Sequence, residues 1–71
     1  MKVAIKSKVI KSHLARKNLS QNWLAIRIGT TSGYMSQLLR GIRTPSPEMR
    51  QKILDALKDY AFDDLFVIKG R

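Results

Sequence analysis

The sequence predicts a small all-α domain, a compact set of four to five helices in which two short helices are joined by a tight turn. Three observations carry that expectation. Apolar residues recur at helical spacing through segments 8–17, 21–28, 32–40 and 47–58. Glycines stand just after two of these segments, at Gly29 and Gly41, where a helix end favours left-handed backbone. A serine or threonine precedes each segment, placed to cap the free amides of a first turn. All 71 residues read as one domain, of a size that buries roughly 60% of its unfolded surface. The chain has no cysteine, so its core must hold the fold without disulfides, and a reducing cytoplasm suits it.

The first helix is expected over Lys8 to Lys17, with Ser7 as its N-cap. Val9, Ile10 and Leu14 share one face, and Lys8, Lys11 and Arg16 lie outside it. Ser20 caps the second helix, Gln21 to Ile28, whose inward residues are Leu24, Ala25 and Ile28. Ala25 is small enough to let a crossing helix approach closely. Gly29 then takes the first position past the helix. Thr31 caps the third helix, Ser32 to Arg40, with Met35, Leu38 and Leu39 as its buried stripe. Ser32, Gly33, Ser36 and Gln37 lie on its opposite face. Gly41 ends that helix and Pro45 blocks its continuation. Ser46-Pro47-Glu48 opens the fourth helix with a cap, a proline at the first helical position and an acid in the first turn. Met49, Ile53, Leu54, Ala56 and Leu57 carry its apolar stripe through about Lys58. A short fifth helix is expected around Phe62 to Phe66, with Asp63 and Asp64 at its start.

The two ends alternate in a different rhythm. Val3 and Ile5 are interleaved with Lys2, Ala4 and Lys6, and Phe66-Val67-Ile68-Lys69 is rich in strand formers. A short two-stranded contact between residues 2–6 and 65–69 follows from that pattern. The alternative is a free basic arm over residues 1–7 and a tail over 65–71.

Charge is segregated along the chain. Nine of the fourteen Lys and Arg residues, and none of the five acids, fall within residues 1–47. The last 24 residues hold five cations and five acids, so the net charge of +9 belongs to the first part. A surface that displaces counterions from a polyanion needs such an acid-free segment. An acidic protein or an anionic membrane would fit the charge as well. The two-helix pattern around Gly29 favours DNA, because a helix braced by its neighbour is the form that enters a major groove.

Residues Leu19 to Leu57 resemble the helix-turn-helix of the phage repressor and Cro-like (Xre-type) family. The resemblance stands on Leu19-Ser20-Gln21, Leu24-Ala25, Gly29, Thr31, Tyr34-Met35-Ser36, Gly41 and Arg43-Thr44-Pro45-Ser46. It implies a lambda-repressor-like bundle of four to five helices, with residues 20–40 as the helix-turn-helix. It also implies sequence-specific binding to double-stranded DNA, and a homodimer on a palindromic operator. A transcriptional regulator of this kind works in the cytoplasm of a bacterial or phage-infected cell, at the nucleoid. Two features depart from the family pattern. Leu14 and Leu39 stand where many relatives pair an Arg with a Glu, and are expected to meet in the core. Lys58-Asp59-Tyr60 replaces the more usual Gly at the end of the fourth helix.

Thr31, Ser32, Gly33, Ser36 and Gln37 are the expected base contacts, on the exposed early face of the third helix. Gln37 leads them, since its amide donates and accepts at once toward an adenine edge. Gly33 costs about 1 kcal/mol against Ala inside a helix, and reads either as close backbone approach to the groove or as a tolerated weak position. Ser20, Gln21, Tyr34, Arg40, Arg43 and Thr44 are the expected backbone contacts, with the amides opening the second helix. Ser20 also serves as a cap, and that role alone suffices to explain it. Lys11, Arg16 and Arg27 read more simply as solvated surface.

Trp23 is expected to be half-buried, with an exposed partner contact as the sharper alternative. His13 is a lone histidine, so no metal is expected; Asp55 and Asp59 read as solvated helix surface. No nucleophile with a base and no phosphate-cradling glycine loop stands out, which points away from an enzyme, a cofactor or a small-molecule ligand. The longest apolar run, Leu65 to Ile68, is far short of the roughly 20 residues of a spanning helix, and no signal peptide is visible. A chain of this length leaves no room for an effector domain, so regulation is expected through concentration, dimerisation or a partner. The rival expectation is an antitoxin-like or other protein-interaction module on the same fold. RNA binding is disfavoured by the lack of an aromatic stacking platform.

Overall fold

The computed structural model describes residues 2–70 and is mostly helical, with five helices and one two-stranded sheet. The order is β1 (Lys2–Ile5), α1 (Ser7–Arg16), α2 (Gln21–Arg27), α3 (Ser32–Leu39), α4 (Pro47–Ala56), α5 (Phe62–Leu65) and β2 (Phe66–Lys69). No helix among the described residues is long and apolar enough to cross a membrane.

The first three helices end on one backbone device. After α2, Gly29 takes φ +75°, its N–H donates to the Ile26 carbonyl (3.1 Å), and the Thr30 N–H reaches back to Ala25 (2.8 Å). This pair of bonds satisfies carbonyls that a helix terminus otherwise leaves open. After α3, Gly41 (φ +78°) repeats it, with Gly41 N–H to Leu38 at 3.2 Å and Ile42 N–H to Gln37 at 3.0 Å. After α1 the same two bonds form around Asn18 (φ 57°), to Ala15 at 3.2 Å and Leu14 at 2.8 Å. Asparagine tolerates this left-handed region better than other residues with a Cβ.

Helices α2, α3 and α4 each open on a hydroxyl cap. Ser20 accepts from the Trp23 N–H (2.9 Å), Thr31 from Tyr34 (3.1 Å) and Ser46 from Met49 (3.1 Å), the last followed by proline at the start of α4. At α5 the Asp64 carboxylate accepts from the Ala61 N–H (2.9 Å). The connections α1–α2 and α2–α3 therefore share one plan: a left-handed residue, one further residue, then a cap.

Ser7 does something else. Helix α1 begins at Ser7 itself, Lys6 takes the cap position without a side-chain bond, and the Ser7 hydroxyl donates instead to the Leu39 carbonyl. That bond ties the start of α1 to the end of α3. The helices are also one or two residues shorter at their C-termini than the apolar periodicity suggests, because Lys17, Ile28, Arg40 and Leu57 stand as C-caps. Such offsets are usual at frayed ends.

The chain ends pair as an antiparallel ribbon with Lys2 opposite Lys69, Val3 opposite Ile68, Ala4 opposite Val67 and Ile5 opposite Phe66. The Lys6 N–H continues the ladder to the Leu65 carbonyl (2.7 Å), so the free-arm alternative does not hold for residues 2–5. Phe66 anchors the ribbon in the core, packed on Phe62 at 5.1 Å between ring centroids.

One apolar cluster joins all five helices and β2: Ile10 and Leu14 from α1, Leu24 and Ala25 from α2, and Met35, Leu38 and Leu39 from α3 meet Ile53, Leu57, Leu65 and Phe66. Val9, expected inside, is only half-buried, and His13 takes the inner place at 7% exposure. Its Nδ1 lies 3.1 Å from the Tyr60 hydroxyl, which also accepts from the Arg16 guanidinium (2.9 Å). Tyr60, in the connection between α4 and α5, thus clamps that connection onto α1. Trp23 is half-buried against the core, as expected.

Leu14 and Leu39 are each 4% exposed and belong to the same cluster. A charge placed there has no partner to meet it. Leu39→Glu is therefore expected to destabilise the fold by at least about 3 kcal/mol, read by urea denaturation at neutral pH. A variant that unfolds at the same urea concentration as the parent would contradict a buried Leu39.

Candidate nucleic-acid interface

Helix α3 presents two faces because its apolar residues occupy only one side. Met35, Leu38 and Leu39 are buried. Thr31, Ser32 and Gly33 are exposed, and Ser36 and Gln37 are half-buried one turn further on. The five expected base contacts thus lie on the cap and outer side of a helix whose inner side is fixed in the core. The packing of α2 against α3, with Ala25 fully buried in the core that both share, holds that helix in place.

Gly33 is not required by the fold. A Cβ built there would meet only the Thr31 hydroxyl, at 4.0 Å, which is ordinary contact. The fold would therefore accept a side chain at this position.

Tyr34, Gln37 and Arg43 converge. The Arg43 Nε donates to the Gln37 side-chain carbonyl, and the Arg43 guanidinium lies over the Tyr34 ring, 5.8 Å from its centroid. The backbone supports the same contact, since the Arg43 N–H bonds to the Gln37 carbonyl at 3.3 Å. Arg50 holds the loop in turn by donating to the Pro45 carbonyl (3.0 Å). The consequence is chemical. Gln37 keeps its amide N–H groups and a second carbonyl lone pair for a ligand, with its orientation set by Arg43. The residue expected to read bases and one expected to hold the backbone are thus hydrogen-bonded to each other.

The other sites are spread around this cluster. Arg40 is exposed at the C-cap of α3, and Thr44 is exposed in the loop beyond. Ser20 and Gln21 stand at the start of α2, Ser20 engaged as a cap with its hydroxyl proton still free to donate. Two residues absent from the expected set, Lys2 and Lys69, border a recess with Arg43 and Thr44. Their cross-strand position follows from an antiparallel pairing of the ends, and that was the available signal.

Two other features have structural roles. Asp55 accepts from the Gln51 amide (3.0 Å) on the surface of α4, consistent with a solvated face. Among the described residues no group of three His, Asp or Glu is placed to hold a metal ion. In comparison with known proteins, the chain matches no family model, no curated protein and no solved structure.

The coupling of Arg43 to Gln37 has a signature in the free protein. The Arg43 Nε proton is expected to exchange with water more slowly in the parent than in Gln37→Ala, read by NMR of the guanidinium Nε–H resonances. Equal exchange in the two proteins would show that the bond is not held in solution.

Proposed function

We propose that this chain is a sequence-specific double-stranded DNA-binding transcriptional regulator of the repressor/Cro-like kind, with α2 and α3 acting as a helix-turn-helix and α3 entering the major groove. One observation carries the reading: the outer face of α3 consists of Ser32, Gly33, Ser36 and Gln37, small or amide side chains flanked by Arg40 and Arg43, within a segment that has no acid. Short polar side chains let a helix approach base edges, and cations at its end meet the phosphates that wall the groove. Gly33 fits the same picture, since a bare backbone there lets DNA come nearer than a side chain would.

Each residue takes a role in this reading. Gln37, held by Arg43, offers its amide to an adenine edge; Thr31, Ser32 and Ser36 contact bases beside it. Ser20, Gln21, Tyr34, Arg40 and Thr44 contact the backbone. Arg43 joins the two sets. A homodimer on a palindromic operator gives two such helices a matched pair of half-sites.

A second reading has one observation in its favour. Ile26 on α2 is 70% exposed beside an open groove bordered by Arg27, Lys52, Asp55 and Lys58. An exposed apolar side chain of this kind suits a protein partner, as in an antitoxin-like module. The two readings differ in how binding responds to DNA sequence.

Selection from a random duplex library at physiological salt supplies the operator for the test. On that operator Gln37→Ala is expected to cost about 1–3 kcal/mol and on random DNA much less. Arg40→Ala, a backbone contact not bonded to Gln37, is expected to weaken both by similar factors. Fluorescence anisotropy with both duplexes measures the contrast. If both variants lose the same affinity on both DNAs, or if selection enriches no sequence, the protein-interaction reading replaces this one.

A further inference from the structure

The terminal ribbon and the α3–α4 loop enclose a recess of about 190 Å³. Lys2 and Lys69 border it from the ribbon, Arg43, Thr44 and Gly41 from the loop, and the buried Leu38 from α3. No carboxylate is among its lining residues. We propose that this recess is a phosphate-binding site, built by the paired chain ends and placed against the DNA-reading helix.

Three features support the assignment. Lys2 and Lys69 stand directly opposite each other in the ladder, and like charges in that position destabilise a strand pair. An anion between them reverses the sign of that interaction. The hydroxyl of Thr44 adds a neutral donor beside the three cations, giving a mixed set suited to a tetrahedral oxyanion. Finally, Arg43 belongs both to the recess and to the Gln37 cluster. Its Nε is committed to Gln37, while its terminal nitrogens remain available to an anion. A ligand in the recess and a base at Gln37 are therefore neighbours through one guanidinium.

A phosphodiester of duplex DNA and a free phosphate both satisfy this chemistry. The identification of the source as DNA rests on the proposed function; the site itself does not. On a duplex seated over α3, the ribbon lysines extend the backbone contacts of Arg40 and Thr44 past the end of the helix. Because the strands are already paired, this contact needs no arm to be ordered on binding.

The test uses the full chain, a Lys2→Gln/Lys69→Gln variant, and a Lys52→Gln/Lys58→Gln control that loses the same charge from α4 and the turn after it. Inorganic phosphate is titrated into each at constant ionic strength, with amide shifts followed by NMR. Saturable shifts confined to residues 2–5, 41–44 and 66–69 are expected in the parent and the control, and are expected to be absent from the ribbon variant. The ribbon variant should also melt no lower than the parent, since a like-charge pair has been removed. With duplex DNA, the slope of log affinity against log salt is expected to fall in the ribbon variant by roughly one unit for each DNA phosphate it no longer neutralises, and to hold in the control. Phosphate shifts scattered without saturation, or retained in the ribbon variant, overturn the site. Saturable shifts with an unchanged DNA slope support the site and assign it to a free phosphate. If the parent binds no duplex, the DNA reading fails, and the phosphate titration still decides the recess.

Discussion

The left-handed residue after each of the first three helices is the constraint on which the rest of this structure depends. Asn18, Gly29 and Gly41 all take positive φ, and each reverses the chain while closing the helix it follows. With so few residues between α1, α2 and α3, the chain has no other way to turn without exposing open carbonyls. The turn at Gly29 matters most, because it fixes how α2 crosses α3 and therefore which side of α3 is left outside. A Cβ at Gly29 would meet nothing within 4 Å, so glycine is favoured there by backbone conformation alone. Left-handed backbone costs residues with a Cβ about 1–2 kcal/mol, a substantial share of the stability of a small domain.

The apolar cluster then converts these turns into a rigid platform. It draws on every helix, and the ribbon joins it through Phe66. Three polar contacts over long sequence separations complete the enclosure: Ser7 to the Leu39 carbonyl, and Tyr60 to His13 and to Arg16. The first pins the end of α3, directly before the loop that carries Arg43. The position of Arg43 thus depends on α1, α3 and α4 together, through Ser7, Gln37 and the Arg50 bond to Pro45. A preorganised cluster of this kind loses less entropy on meeting a ligand than separate surface side chains would.

Much of this was legible in the sequence wherever the cause is local. Ser20, Thr31, Ser46, Gly29 and Gly41 announce helix ends because a hydroxyl or a missing Cβ acts within a few residues. The stripe Met35, Leu38 and Leu39 shows which side of α3 is inside, and the alternation at both ends suggests the ribbon. What the sequence leaves hidden depends on distant partners. Ser7 looks like a cap, but its hydroxyl finds a carbonyl 32 residues away. His13 reads only as a lone histidine, and its inward place depends on Tyr60 closing over it. Asn18 reads as an ordinary polar residue, since asparagine is only weakly diagnostic of a left-handed turn. The link between Gln37 and Arg43, and the recess shared with Lys2 and Lys69, exist only once the α3–α4 loop and the ribbon are folded beside each other.

We propose that the outer face of α3 reads base edges in the major groove. Replacing single adenines of the selected operator by 7-deazaadenine removes one acceptor from the major groove and leaves the minor groove untouched. The account predicts that at least one such replacement in each half-site lowers affinity by about 1–3 kcal/mol, while the same replacement leaves the affinity of Gln37→Ala unchanged. Full affinity at every replaced position would contradict it.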